Sequence, residues 1–259
     1  MTQTITQLSP DRARAWLDRW DAQQATFFAD REERFAVIGD VLAHAIERPD
    51  PLIIDLGVGP GSLAARLLRR LPSAQVIGID QDPLLLGLAE AAYRDEFGGR
   101  FRAVTGDLGE AGRLDRLGLH RAPDAFVSTT ALHWLDPTAL RELLGTAAGA
   151  LAPGGVFVDG DHLYERTDRF DALLREVGAT ARTRRGEQPG EGWQEWWQAA
   201  SEAPELAELW AARERTDLGH HVSSPATVGD YLAALREGGC AEVGQVWQCG
   251  DDRVIVGIR

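Results

Sequence analysis

The chain has 259 residues, too many for a mini-protein and few for two full enzyme domains, so one domain with embellishments is expected. Hydrophobic residues make up 44% and charged residues 26%, the proportions of a globular fold, and all 27 basic residues are Arg; with no Lys and no Asn, Schiff-base chemistry, a P-loop and N-glycosylation are excluded. A net charge of −13 speaks against a nucleic-acid partner, with a local Arg patch, for example Arg182, Arg184 and Arg185, still open, and suits a small cationic ligand.

Residues 1–11 carry no basic stretch followed by an apolar one, so no signal peptide is expected. Residues 1–48 read as helix. Ser9 and Pro10 form an N-cap and first-turn proline, and Trp16, Trp20 and Phe27 recur at helical spacing. Phe35, Ile38, Leu42 and Ile46 mark a second helix, which Arg48-Pro49-Asp50-Pro51 ends. A strand at 52–56 follows, then the turn Gly57-Val58-Gly59-Pro60-Gly61-Ser62 and a helix through Leu63, Leu67 and Leu71. Further strands are expected at 76–80, 101–104, 124–128 and 155–159, with Asp82-Pro83 capping one helix and another over 137–151. Short apolar runs without alternation, separated by helices, predict a parallel sheet covered on both faces.

Residues 161–224 exceed what a crossover needs and hold four of the eight tryptophans, Trp193, Trp196, Trp197 and Trp210. Two extra helices anchored by tryptophan are expected there, with 182–192 as a mobile, polar, Gly-bearing loop and the whole as a lid over a substrate pocket. His220 and His221 precede Ser223-Ser224-Pro225, where Ser224 would cap a helix over 227–236. Strands at 243–247 and 253–258 are too close for a crossover, so they form an antiparallel hairpin. No run is long enough for a membrane span, and Cys240 and Cys249 make neither a disulfide framework nor a zinc cluster. A protein of the reducing cytoplasm, without a membrane partner, is therefore expected.

The Gly-rich turn sits where α/β sheets bind nucleotides. Its spacing, Gly57, Gly59 and Gly61, lacks the third glycine of a dinucleotide fingerprint, because Ser62 holds that position. Asp80 ends the second strand, where a carboxylate can accept both ribose hydroxyls through charge-assisted bonds of about 1.5–3 kcal/mol each. Asp107, in Gly106-Asp107-Leu108, can accept from an adenine amine, and Asp55 can organise a positively charged ligand tail. So many carboxylates repel a pyrophosphate and attract a sulfonium and an ammonium.

Here the sequence resembles the class I S-adenosylmethionine-dependent methyltransferases, in a small-molecule form similar to the trans-aconitate methyltransferase type. Residues 55–61 look like their first motif, 76–80 the second, 106–108 the third, 124–135 with Leu132-His133-Trp134 the fourth, and Leu151-Ala152-Pro153-Gly154-Gly155 the turn before the fifth strand. Val58 departs conservatively from the Cys or Ala of many relatives. The resemblance implies an α/β, doubly wound, Rossmann-like mixed seven-stranded sheet in the order 3-2-1-4-5-7-6, with helical cap elements. It implies a single methyltransferase domain over 1–259: an N-terminal helical cap (1–48), a cofactor-binding core (50–161), a helical lid (162–224) and a C-terminal helix and β-hairpin (225–259). S-adenosylmethionine would be the cofactor. Gly57, Gly59 and Gly61 would admit its methionine part, Asp80 the ribose, Gln81 the adenine face, Asp107 and Leu108 the adenine ring. Thr129 and Thr130 would lie near the sulfonium and the acceptor.

Methyl transfer is an in-line displacement in which alignment alone can supply roughly 7–11 kcal/mol. A base matters when the acceptor is a hydroxyl, and His133, with an unperturbed pKa of about 6.5, is the candidate. The implied reaction is methylation of a small-molecule acceptor, first on oxygen, with nitrogen and carbon open. Rivals are a non-methylating member of the fold and a nicotinamide-dependent dehydrogenase. No metal is expected: neither His220-His221 nor Asp161-His162 offers enough ligands.

Overall fold

The computed structural model describes residues 8–27, 30–185, 190–219 and 226–259. His220, His221, Ser223 and Ser224 lie outside them, as does the middle of the 182–192 loop.

Helix α1 (Pro10–Phe27) starts at the Ser-Pro pair, where Ser9 Oγ accepts the Arg12 N–H and the Ser9 carbonyl accepts that of Ala13. Helix α2 (Arg31–Ala45) buries Phe35, Ile38 and Leu42, one turn apart on one side. There follow β1 (Leu52–Leu56), α3 (Ser62–Arg70), β2 (Gln75–Asp80), α4 (Pro83–Phe97), β3 (Phe101–Thr105), β4 (Ala125–Thr129), α5 (Pro137–Ala150) and β5 (Val156–His162). Asp82 and Asp136 cap α4 and α5, each accepting two backbone N–H groups ahead of a first-turn proline. After β5 come α6 (Asp168–Arg185), α7 (Trp193–Glu202), α8 (Ala207–Glu214), α9 (Val228–Glu237), β6 (Glu242–Cys249) and β7 (Asp252–Ile258).

The sheet order is β3-β2-β1-β4-β5-β7-β6. The first five strands are parallel, and β7 runs antiparallel to both neighbours. Period-two alternation divides the core. Ile53, Val127 and Val158 face α1 to α4, whereas Ile54, Phe126, Phe157 and Ile255 face α5 and α9. Both faces are buried, so β1 is buried at every residue and its sequence shows no polar alternation.

Two expectations need correction. Among the described residues the insertion after β5 carries three α-helices, α6 to α8, instead of two. The cap of α9 is Thr227, whose Oγ1 accepts the Asp230 N–H while Asp230 accepts the Thr227 N–H; this Thr-x-x-Asp box displaces Ser224 from that role. Trp196 and Trp197 are anchors. Trp196, fully buried, meets Trp16 and Trp20 edge-on at ring distances of 5.7 and 4.9 Å, and Trp20 meets Trp197 at 5.9 Å, which fastens α7 onto α1.

Candidate active site

The carboxyl ends of β1, β2, β4 and β5 meet on one edge of the sheet. The chain leaves β1 through Gly57 (φ +74°), Gly59 (+51°) and Gly61 (+86°). The Gly57 and Val58 N–H groups both donate to the Ile79 carbonyl at 2.9 Å, pinning the turn to β2. A Cβ on Gly57 would stand 2.3 Å from the Ala131 Cβ, so this loop packs directly on the segment after β4; at Gly59 nothing lies within 4 Å of the corresponding point. The result is a turn closed on one side and open on the other.

Three carboxyls flank it. Asp55 is 1% exposed, and neither oxygen has a well-formed hydrogen bond. Burial, reinforced by the Asp80 charge and partly opposed by the Ala64 backbone, pushes it up to about 8. Asp80 is half-buried and accepts the N–H groups of Gly59 at 2.8 Å and Asp82 at 2.9 Å; burial pushes it up to about 6. Asp107 is exposed at the end of β3 and accepts the Gly109 N–H at 2.8 Å. Gln81 and Leu108 sit half-buried beside Asp80 and Asp107 in sequence. An orphaned buried carboxyl, an open glycine turn and two further carboxylates fit a nucleoside with a cationic tail, since each carboxylate retains lone pairs for hydroxyl or ammonium donors.

The loop is held from outside. Asp21 of α1 accepts from Ser62 Oγ at 2.6 Å and pairs with Arg31 at 2.8 Å and Arg66 at 3.0 Å, joining α1, α2 and α3 at the glycine turn. Burial alone would raise the Asp21 carboxyl, but the Arg pairs and Ser62 hold it below the ordinary value. From α8, Arg213 pairs with Asp82 at 2.7 Å, next to Asp80.

The end of β4 builds the second half of the site. Thr129 Oγ1 is buried without a partner. Thr130 has φ +49°, a left-handed conformation that strains a β-branched residue, and its N–H donates to the Gly160 carbonyl at 3.1 Å. Residues 132–134 then form a single 3₁₀ turn that carries His133. Nδ1 of His133 lies 2.8 and 3.0 Å from the two oxygens of Asp161 at the end of β5, itself fully buried. An ionised carboxylate only accepts, so Nδ1 bears the proton, and in the neutral ring the lone pair is on Nε2. Burial would lower the His133 pKa; the Asp161 carboxylate outweighs it and raises the pKa above the ordinary value. Asp161 is held below its ordinary value, because His133 and then Arg34 and His162 offset its burial.

The sequence reading placed Asp55, Asp80, Asp107, the three glycines, Thr129 and His133 at strand ends, and all occur there. It missed the role of Asp161, set aside as half of a weak metal pair, and it missed Asp21, Asp159 and Tyr231. Asp159 and the Tyr231 hydroxyl are fully buried, and neither has a well-formed hydrogen bond. Polar residues in the buried run Val158-Asp159-Gly160-Asp161 were the available signal. Among the described residues no group of three or more His, Cys, Asp or Glu can hold a metal ion.

A glycine turn after β1, an acid at the tip of β2, and a seven-stranded sheet with β7 antiparallel between β5 and β6 define the class I S-adenosylmethionine-dependent methyltransferase fold. Comparison with known proteins agrees with this fold: residues 53–155 match the family described as "Methyltransferase domain". A trans-aconitate 2-methyltransferase of Methylobacterium radiotolerans is 35% identical over 163 residues, 62% of this chain and 56% of the relative. A 4-amino-L-phenylalanine/4-methylamino-L-phenylalanine methyltransferase of Streptomyces pristinaespiralis is 35% identical over 147 residues, 49% of each chain. The matched segment thus spans about half the length of these relatives. The solved magnesium protoporphyrin IX methyltransferase of Synechocystis PCC 6803, which holds S-adenosylhomocysteine, covers 94% of this chain and 94% of its own, with 16% identity and a TM-score of 0.58, and so shares the fold. S-adenosylmethionine is the cofactor of this class. Among the described residues no helix is long and apolar enough to cross a membrane.

Proposed function

We propose that the protein methylates a hydroxyl of a small-molecule acceptor, with His133 as general base and Asp161 as its positioning partner. The observation that carries this reading is the contact of His133 Nδ1 with both Asp161 oxygens, on the turn whose Ala131 packs against Gly57. Bound S-adenosylmethionine would supply an activated methyl on a sulfonium leaving group. The chain's own groups then have three tasks. Gly57, Gly59 and Gly61 admit the methionine part, with Asp55 facing its ammonium. Asp80 accepts the ribose hydroxyls, while Gln81, Asp107 and Leu108 border the adenine. Thr129 Oγ1, lacking an internal partner, is available at the reacting end. His133 Nε2 takes the acceptor proton, and Asp161 holds the ring in the tautomer that allows it. A positioned base of this kind contributes about 10²–10⁴-fold. Residues 1–48 and 162–224 serve as cap elements over the 50–161 core, held through the tryptophan contacts and the Arg213–Asp82 pair.

The names of the two relatives bring different acceptors, a tricarboxylate and an aryl amine. Incorporation of labelled methyl from S-adenosylmethionine into a metabolite pool, with His133→Ala alongside, tests the reaction. The variant should bind S-adenosylhomocysteine as wild type does and lose about 10²-fold or more in turnover. Equal turnover removes His133 from the chemistry, and no labelled product from any pool overturns methyl transfer.

A further inference from the structure

We infer that the acceptor is an uncharged phenol or enol and that polycarboxylates are excluded from this site; the inference rests on the methyl-transfer reading above and narrows its substrate class.

The argument begins with charge. Recognition of a polycarboxylate calls for open cations, above all forked guanidinium groups. Beside the His133–Asp161 pair stand Arg34 of α2, His162 of β5 and, opposite Asp161 on β7, Arg253, and each holds an acid. Arg34, fully buried, meets Asp252 at 2.8 Å, and Arg253, 5% exposed, meets Glu165 at 2.8 Å. His162 meets Asp251 at 3.1 Å, and His133 itself meets Asp161 at 2.8 Å. These four cations therefore face four matched acids, and Asp159, fully buried at the same strand end, adds a further acidic group and no cation. A tricarboxylate would have to break one of these pairs or sit with uncompensated charge beside carboxylates, and both are costly.

The second strand of the argument is chemical. A carboxylate acceptor has already lost its proton at neutral pH and needs no base. A phenol, with a pKa near that of Tyr at about 10, does. The proton leaves the hydroxyl oxygen for His133 Nε2 as that oxygen takes the methyl, and the imidazolium is held by Asp161. The dyad is superfluous for trans-aconitate and matched to a hydroxyl. The third is shape. Trp134 is 44% exposed next to His133, with ring centroids 5.1 Å apart, and offers a planar apolar wall next to the base.

The test is equilibrium binding to the S-adenosylhomocysteine-loaded protein, by calorimetry, of trans-aconitate, citrate, a set of neutral phenols including 7-hydroxycoumarin, and the matching anilines. Calorimetry of S-adenosylhomocysteine itself comes first: if it does not bind, the methyl-transfer reading fails before the acceptor class is tested. If it binds, the expected result is a phenol at least about tenfold tighter than both polycarboxylates and than its aniline counterpart. Trp134→Ala should weaken that phenol and leave the weak polycarboxylate signal unchanged. A polycarboxylate or an aniline within tenfold of the tightest phenol, or no phenol binding at all, overturns the inference.

Discussion

Replacing Asp55 by Asn separates what this carboxyl contributes to binding from what it costs the fold. Its pKa is pushed up to about 8 in the folded protein, against about 3.9 in an unfolded chain. Between those values the native state holds a proton that the unfolded state has released. Wild-type stability therefore falls as pH rises, by up to about 1.4 kcal/mol per unit, and levels off above the folded pKa. Asn fills the same volume and does not titrate, and apart from Asp80, which Asp55 faces, the acids titrate alike in both proteins. The difference between the two urea-unfolding free energies should thus be small near pH 4, grow in favour of Asp55→Asn up to about pH 8, and then plateau. The same variant should bind S-adenosylhomocysteine more weakly, because the amide cannot supply negative charge to the ligand's ammonium. Wild type should also release a proton on binding, visible as a binding heat that varies with the ionisation enthalpy of the buffer. Parallel pH profiles for the two proteins would refute the reasoning, since they would mean that Asp55 is already ionised in the folded state.

Three further outcomes are expected. Asp161→Asn removes a charge-assisted bond, so the His133 imidazole, followed by NMR, should titrate lower than in wild type; an unchanged titration would mean that the dyad does not form in solution. The His133–Asp161 pair stabilises the fold fully below the ordinary His value and loses that contribution as pH rises through the raised one, so the two proteins should converge in stability at alkaline pH. Asp80→Ala should weaken S-adenosylhomocysteine by about tenfold or more by calorimetry and also destabilise the fold, because the Gly59 and Asp82 N–H groups lose their acceptor. Thr227→Ala, which removes the α9 cap, should cost about 1 kcal/mol, or about 2–4 °C in Tm, and an unchanged melt would place the cap elsewhere.

Much of the fold was legible because its strands are buried on both faces. A run such as Leu52-Ile53-Ile54 has no helical period, and Gly, Pro or Asp marks its ends, so strand limits fall within one or two residues for six strands. For β5 the sequence reading stops at Asp159, whereas the strand continues to His162, because Asp159, Gly160 and Asp161 look like a polar turn and are buried instead. The strand-tip residues proposed for the cofactor were legible for a local reason: they lie at the tips of consecutive strands. The pair proposed for the acceptor side was not. Asp161 reaches His133 only because β4 and β5 are neighbours in register, with Ser128 opposite Asp159 and Thr129 opposite Gly160. The Arg34–Asp252 pair spans 218 positions, and no local pattern announces it.

The two halves are nevertheless mechanically one. Thr130 stays in a left-handed conformation that costs on the order of 1–3 kcal/mol only because its surroundings fix it. Its N–H is held by the Gly160 carbonyl, and the next residue, Ala131, is wedged against Gly57. Gly160 in turn accommodates Arg34: a Cβ there would stand 2.7 Å from that side chain. A change at Gly57 or Gly160 would therefore reach the His133 turn through Thr130 and Ala131, moving His133 relative to the glycine turn. The glycines at 57 and 160 set the distance between that turn and His133, and the strain at Thr130 is what that spacing requires.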